Sequence, residues 1–126
     1  MKHAVDPSRY TRVRDRVRAF YRRFPTGSIQ TELVQLDDDL VVFKASVYRD
    51  PHDPHPTTGW AYERPAPSEA VDHDELIERC EWAAVGRALA NRDFAGPRRP
   101  SWEEMEKVRR MSAWLDQRRP GWTRRP

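Results

Sequence analysis

The sequence predicts an α+β domain with an N-terminal helix, a three-stranded antiparallel sheet, a covering helix and a further C-terminal helix. Three observations predict it: helical spacing of apolar residues near the N-terminus, two runs of β formers around the turn Asp37–Asp39, and renewed helical spacing from position 74. The chain of 126 residues has the length of one ordinary domain. We therefore predict an arm over residues 1–7, one α+β domain over 8–117 and a basic, disordered tail over 118–126.

The first helix is predicted to begin at Ser8 as its N-cap and to stop before Pro25. Its apolar stripe consists of Tyr10, Val13, Val17, Phe20 and Phe24. Its other faces carry seven arginines, opposed within the helix only by Asp15; they are Arg9, Arg12, Arg14, Arg16, Arg18, Arg22 and Arg23. A solvated helix face is the ordinary explanation for a charge run, but seven arginines favour a surface that meets a polyanion.

The sheet is predicted as a hairpin of residues 28–36 and 40–48, followed by a third strand over residues 58–63. Alternation in the second strand places Val41 and Phe43 on the core face and Lys44 on the opposite face. Trp60 and Tyr62 share one face of the third strand. For both, and for Trp82, a place in the core is more probable from the sequence than a stacking platform for bases.

Two more helices follow the sheet. Residues 74–91 show helical spacing with many small residues, which allow a close neighbour, while Arg87 points away from the apolar stripe. Ser101 and Glu104 form a capping box for a third helix that runs to Gln117. The docking stripe of this helix is predicted to be Trp102, Met105, Val108, Met111, Trp114 and Leu115.

Composition and charge exclude several classes of protein. No window is apolar enough to span a membrane, the N-terminus lacks an apolar signal core, and Cys80 is the only cysteine. These features predict a cytoplasmic protein without a membrane partner. Basic and acidic residues number eight and two in residues 1–24, four and thirteen in 25–81, and eleven and five in 82–126. The ends are therefore basic and the middle acidic.

Chemistry-bearing clusters are few. One cluster has the side-chain types of a metal site: Asp50, His52, Asp53 and His55, together with residues 72–74. The prolines in this loop, however, favour an extended chain in which neighbouring side chains diverge. No phosphate-binding glycine loop is present, and Cys80 falls on an apolar stripe as a buried thiol. We predict no enzyme activity, catalytic residue, metal or cofactor, and keep a metal-dependent nuclease as an alternative.

The basic groups instead predict nucleic-acid binding, with guanidiniums and one lysine placed to contact phosphates. The predicted contact residues are Arg12, Arg16, Lys44, Arg87, Arg98 and Arg99.

Five stretches of the chain resemble one family. They are Tyr10-x-x-Val13-x-x-Arg16 with Phe20 and residues 24–29, the strands at 42–47 and 58–63, the segment Glu81-Trp-Ala-Ala-Val-Gly-Arg-Ala-Leu-Ala90, and Ser101-Trp-Glu-Glu-Met105. Together they resemble the phage and prophage single-strand annealing proteins, which share the Rad-fifty-two-type fold.

That resemblance implies single-stranded DNA binding and ATP-independent strand annealing in phage-type homologous recombination. It places the DNA in a groove between the sheet and the second helix, with Lys44 and Arg87 as contacts. It also implies a homo-oligomer, in some members a ring, a phage or host recombination partner, and the cytoplasm of a bacterial host cell as the location. The alternative within this fold is a phage protein that binds a host protein through its acidic middle instead of DNA.

Overall fold

The computed structural model describes residues 6–65 and 72–118 and confirms the predicted fold class. A 3-10 turn at Pro7–Arg9 precedes the main elements, which are α1 (Val13–Arg23), β1 (Ser28–Leu36), β2 (Val41–Tyr48), β3 (Thr57–Glu63), α2 (His73–Asn91) and α3 (Trp102–Arg118). The predicted arm and tail fall largely on residues 1–5 and 119–126, outside the described residues. No helix in the described part of the chain has the length and apolar character needed to cross a membrane.

Helix α1 begins four residues later than the Ser8 cap predicts, with Arg12 at the N-cap position. Asp6 caps the short 3-10 turn instead, with its carboxylate accepting from the Ser8 amide at 3.1 Å. The first amide of α1, that of Val13, donates to Oε1 of Glu103 at 3.0 Å. The α1 cap therefore comes from α3, ninety residues along the chain, and local sequence could not have shown it.

The sheet has the order β1-β2-β3 with both pairs antiparallel. The predicted alternation of β2 is confirmed, because Val41, Phe43, Ala45 and Val47 are buried under α2. Lys44 lies on the outer face, opposite Glu32 of β1 and Trp60 of β3. The side chains of Trp60 and Tyr62 on β3 lie on the same outer face as Lys44.

The exposure of the sheet aromatics differs from the prediction. Trp60 is 48% exposed and Tyr62 is 53% exposed, so neither belongs to the core, and Trp82 on α2 is 37% exposed. The core side of β3 is instead formed by Gly59 and Ala61, which are small because α2 presses against them.

The contact between β3 and α2 explains the small residues of both elements. A Cβ added at Gly59 would lie 2.3 Å from the Ala88 nitrogen and 2.8 Å from the Ala84 carbonyl oxygen. A Cβ at Gly86 would lie 2.7 Å from Cγ2 of Val13. Glycine at position 59 thus lets the backbones of β3 and α2 approach closely, and glycine at position 86 leaves room for the Val13 side chain.

Side chains from the helices close the outer edge of β3. Asn91 donates to the Thr58 carbonyl at 2.7 Å, Arg87 to the Trp60 carbonyl at 3.2 Å, and Nζ of Lys107 to the Tyr62 carbonyl at 2.9 Å. Three successive outward carbonyls of an edge strand are thus satisfied within the chain. Such capping prevents another strand from pairing there.

Helix α3 begins as predicted and packs less than predicted. The Glu104 amide donates to Oγ of Ser101 at 3.1 Å, and the Ser101 amide donates to Oε1 of Glu104 at 3.3 Å, which confirms the capping box. The predicted docking stripe is wrong for its C-terminal part, since Val108, Met111 and Leu115 are 40–45% exposed. There the stripe faces Ala83 of α2 and Tyr62 of β3 across an open groove, so its side chains are not packed against them.

Candidate nucleic-acid interface

The outer face of α1 carries three exposed arginines at four-residue steps, Arg14, Arg18 and Arg22, which we call the arginine row. Four helical residues rise about 6 Å, so the row is a line of regularly spaced cations. The Arg18 side chain is 71% exposed, and its nearest acid, Asp15, lies 3.7 Å away. An ion pair this exposed is weak, which leaves the guanidinium able to bind another anion.

Two further arginines lie on aromatic rings near the N-terminal end of α1. The Arg12 guanidinium lies 4.0 Å from the centre of the Trp102 ring, and that of Arg98 lies 5.5 Å from the centre of the Tyr10 ring. Stacking on a ring orders a guanidinium without neutralising its charge. Both residues were predicted contacts, and their nucleic-acid role stays a prediction.

Arg16 does not have the exposed position that the sequence analysis gave it. Its side chain is buried, and its guanidinium donates to the carbonyls of Gly86 at 2.9 Å, Ala95 at 3.1 Å, Arg98 at 3.3 Å and Arg99 at 2.7 Å. Burial lowers the pKa of Arg16 below its ordinary value. Four of its five N–H groups donate to backbone carbonyls inside the protein, so Arg16 joins α1 to α2 and to the chain before α3.

The other predicted contacts lie away from α1. Nζ of Lys44 is 5.7 Å from the centre of the Trp60 ring on the outer sheet face. Arg87 bonds the β3 edge and lies 3.5 Å from Glu104, while Arg99 donates to the carbonyl of Ala90 and to the Asn91 side chain. Arg87 and Arg99 line one groove together with Trp60. The six predicted residues therefore do not form a single groove.

Two acidic segments are unsuited to phosphate. Asp37–Asp39 form the β1–β2 turn, where hydrogen bonds from Gln35 and from the Asp39 amide hold the pKa of Asp37 below its usual value. Asp72, Asp74 and Glu75 occupy the start of α2, and the Asp72 carboxylate caps the helix at the Glu75 amide, 2.8 Å away. Carboxylates there oppose the attraction that a helix N-terminus otherwise has for anions.

The histidine loop between β2 and β3 is organised by one buried aspartate. The Asp53 carboxylate accepts from the Arg49 amide at 2.9 Å, from the Arg49 guanidinium at 3.1 Å and from the His55 amide at 3.0 Å. These bonds hold the pKa of Asp53 well below its usual range. Within residues 6–65 and 72–118 no group of three or more His, Cys, Asp or Glu side chains could hold a metal ion.

Fold and surface together define a class. The chain is an α+β domain with a three-stranded antiparallel sheet and a basic face on its first helix, and such a face is the electrostatic feature that nucleic-acid-binding domains have in common. The family model described as Slr1353 N-terminal dsRNA-binding domain-like matches residues 17–91, from the middle of α1 to the end of α2, and the chain belongs to this family. No curated protein matches the chain, and no solved structure matches it.

This family assignment corrects the resemblance drawn from motifs. The single-strand annealing family is wrong, and with it the predicted DNA annealing in phage recombination and the alternatives built on that fold. The order helix, three strands, helix did not discriminate between the two families. The segment from Glu81 to Ala90 misled because its small residues are explained by contact with Gly59 and Val13, a packing need that unrelated proteins share.

Proposed function

We propose that this domain binds double-stranded RNA through the arginine row on α1, without catalysing a reaction. The observation that carries the proposal is the row itself: three solvent-exposed guanidiniums on one face of a helix in a domain of a dsRNA-binding-like family. Duplex RNA is recognised by its shape and by contacts to phosphates and 2′-hydroxyls across the minor groove. Guanidiniums suit such contacts because their fork donates two hydrogen bonds to one phosphate.

Arg12 and Arg98 extend the row at its N-terminal end in this proposal. Their stacking on Trp102 and Tyr10 reduces the conformational freedom lost when they bind. The acidic turn Asp37–Asp39 and the start of α2 face away from phosphate in the bound state, since carboxylates near the duplex would weaken binding. The RNA footprint is thus centred on α1.

The proposal makes binding independent of base sequence and dependent on salt. Contacts to the backbone do not read bases, and each neutralised phosphate releases counterions. A-form duplex should be preferred over B-form DNA, because only RNA offers the 2′-hydroxyls and the wide, shallow minor groove.

The test is fluorescence anisotropy with a labelled RNA duplex, the DNA duplex of the same sequence and the single RNA strand, each over a salt series. A duplex of about 16–20 base pairs covers the span of one such domain. Arg18→Ala/Arg22→Ala removes two cations of the row. Lys44→Ala/Arg64→Ala removes the same formal charge from the sheet side and is the matched control.

We expect the row variant to bind duplex RNA about a hundredfold more weakly or worse, because each of the two lost guanidiniums contributes about 1.5 kcal/mol or more through hydrogen bonds to phosphate. The slope of log affinity against log salt should fall by about 2. The control should keep most of its affinity. Equal losses of affinity in both variants would show a diffuse charge effect. A larger loss in the control variant would place the contact on the outer face of the sheet instead. Absence of RNA binding at low salt would overturn the proposal.

A further inference from the structure

The two edges of the sheet are treated differently. Three side chains close the edge of β3, whereas β1 has no counterpart to them among residues 6–65 and 72–118. From Gln30 to Leu36 every residue of β1 is exposed. This includes Leu33 at 45%, Val34 at 43% and Leu36 at 49%, although Leu33 lies opposite the buried Phe43. An open, exposed and partly apolar edge strand is a site for pairing with another strand.

The register shows which groups of β1 are free to pair. The capped carbonyls of Thr58, Trp60 and Tyr62 point away from β2. The backbone groups of β2 that bond β3 are therefore those of Phe43 and Ala45, and the backbone groups of the alternate residues of β2 bond β1. Lys44 and Ser46 face Glu32 and Gln30. The outward amides and carbonyls of β1 therefore belong to Ile29, Thr31 and Leu33.

We propose that a second copy of this chain pairs antiparallel with β1, with Thr31 on the twofold axis, to form a continuous six-stranded sheet. This register places Ile29 opposite Leu33 of the second copy, Thr31 opposite Thr31 of the second copy, and Leu33 opposite Ile29 of the second copy. Each such pair exchanges two hydrogen bonds, which makes six across the interface. The pairing ends where the bulge at Val34 breaks the regular ladder.

The side chains are complementary in this register. On the helix side, the exposed Leu33 of one copy lies beside Ile29 of the other, which is partly buried against the core, so pairing covers the apolar surface of Leu33 that α2 leaves exposed. Between them the Thr31 hydroxyl donates to Glu81 of its own α2 at 2.5 Å. On the outer side, Gln30 lies opposite Glu32 of the second copy, so no like charges face each other directly. A two-fold interface requires self-complementarity of this kind.

Charge complementarity selects a second copy as the occupant. Antiparallel pairing about Thr31 carries the turn Asp37–Asp39 of one chain towards the residues that precede β1 in the other, where α1 ends in Arg23. The acidic turn thus approaches the guanidinium of Arg23 at each end of the paired strands, and no residue of the arginine row takes part. The proposal is independent of RNA binding and is tested without nucleic acid.

The first experiment is light scattering after size exclusion, across a wide range of protein concentration, at low and moderate salt. We expect a mass twice the 14.9 kDa of one chain at high concentration. Leu33→Lys should shift the mass to the monomer. Val108→Lys, which changes an equally exposed apolar side chain on α3, is the matched control and should leave the dimer unchanged. A monomer at every concentration, or equal effects of the two variants, would overturn the proposal.

Oxidative cross-linking tests the register. In a Cys80→Ser background, Thr31→Cys places two thiols opposite each other across the axis, whereas Gln30→Cys places its thiol opposite Glu32. We expect a disulfide-linked dimer from the first variant and several-fold less from the second. Equal cross-linking of both would contradict the register.

A charge exchange tests the contact at the ends. Arg23→Asp should weaken the dimer, and Arg23→Asp/Asp38→Arg should restore it, because the exchanged charges again attract. Failure of the double variant to recover would contradict this arrangement. If Arg23→Asp abolished the dimer while Leu33→Lys left it unchanged, the dimer would form through α1 and not through β1, which would overturn the proposal.

Discussion

The guanidinium of Arg16 on α1 donates a hydrogen bond to the carbonyl of Gly86 on α2 at 2.9 Å. Because Gly86 has no side chain, the Val13 side chain of α1 also packs directly against it. One position on α2 therefore provides both the polar and the apolar contact that join the helices. The other hydrogen bonds of Arg16 go to the carbonyls of the segment between α2 and α3. Arg16 therefore also holds in place the segment that leads into α3.

We expect Arg16→Met to lower the free energy of unfolding by about 3 kcal/mol or more, because it leaves several buried carbonyls without donors. Urea unfolding at neutral pH measures this. Arg14→Met, on the exposed side of the same helix, should change stability by no more than about 0.5 kcal/mol. Similar losses in the two variants would refute the structural role of Arg16.

Gly59→Ala should destabilise the domain by about 1–3 kcal/mol, the usual cost of overpacking a tight contact. The added methyl would collide with the backbone of α2 at Ala88 and Ala84, which cannot move away as a flexible side chain could. Thr58→Ala, one residue earlier on the outer face, serves as the control for strand propensity. An unchanged thermal midpoint for Gly59→Ala would show that α2 lies farther from β3.

Asp53 should make the stability sensitive to acid. Its pKa is lowered in the folded state by hydrogen bonds from Arg49 and from the His55 amide, so its stabilising effect is fully present above the unfolded value of about 3.9 and is lost as the pH falls towards the folded value. We expect Asp53→Asn to be less stable at pH 7 and to lose less stability on acidification.

Denaturant unfolding at neutral and acidic pH, with Asp15→Asn as an exposed control, tests this prediction. The control should follow the wild-type acid dependence. An unaltered acid dependence in Asp53→Asn would assign the effect to other carboxylates.

Cys80 should be unreactive in the folded protein. Its thiol is buried and lies within 3.4 Å of the Val41 carbonyl, and burial raises the pKa of Cys80 to about 11. Because the unfolded thiol ionises from about pH 8.5, the folded state should lose stability as the pH rises from there towards 11.

Reaction with a thiol-specific reagent, with and without denaturant, measures this protection. The native protein should react many-fold more slowly than the unfolded chain, while an exposed thiol introduced as Val108→Cys should react at once. Rapid labelling of native Cys80 would show that α2 opens away from the sheet.

Local patterns in the sequence were sufficient for most of the fold. Alternation in β2, helical spacing in α1 and α2, and the Ser101–Glu104 capping box each depend on residues close together in the chain, and each is confirmed. The start of α1 was wrong because its cap is Glu103. The exposure of Trp60 was wrong because an apolar side chain predicts burial only when another element covers its face, and the outer face of this sheet has no helix over it in the described residues.

The candidate site was predictable only in part for a similar reason. The exposed positions of Arg14, Arg18 and Arg22 follow from the apolar stripe on the other side of α1. The burial of Arg16 does not, because a guanidinium can enter a core only where backbone carbonyls from other elements converge on it, and those carbonyls come from residues 86–99.

By itself the sequence determined the class of fold, the basic ends with the acidic middle, and the position of a basic face on the first helix, because periodicity and charge are properties of neighbouring residues. Tertiary structure decided which arginine is structural, that the edge of β3 is closed, and that β1 is left open. These depend on hydrogen-bond partners distant in the chain, which only the packing of α2 and α3 brings into reach.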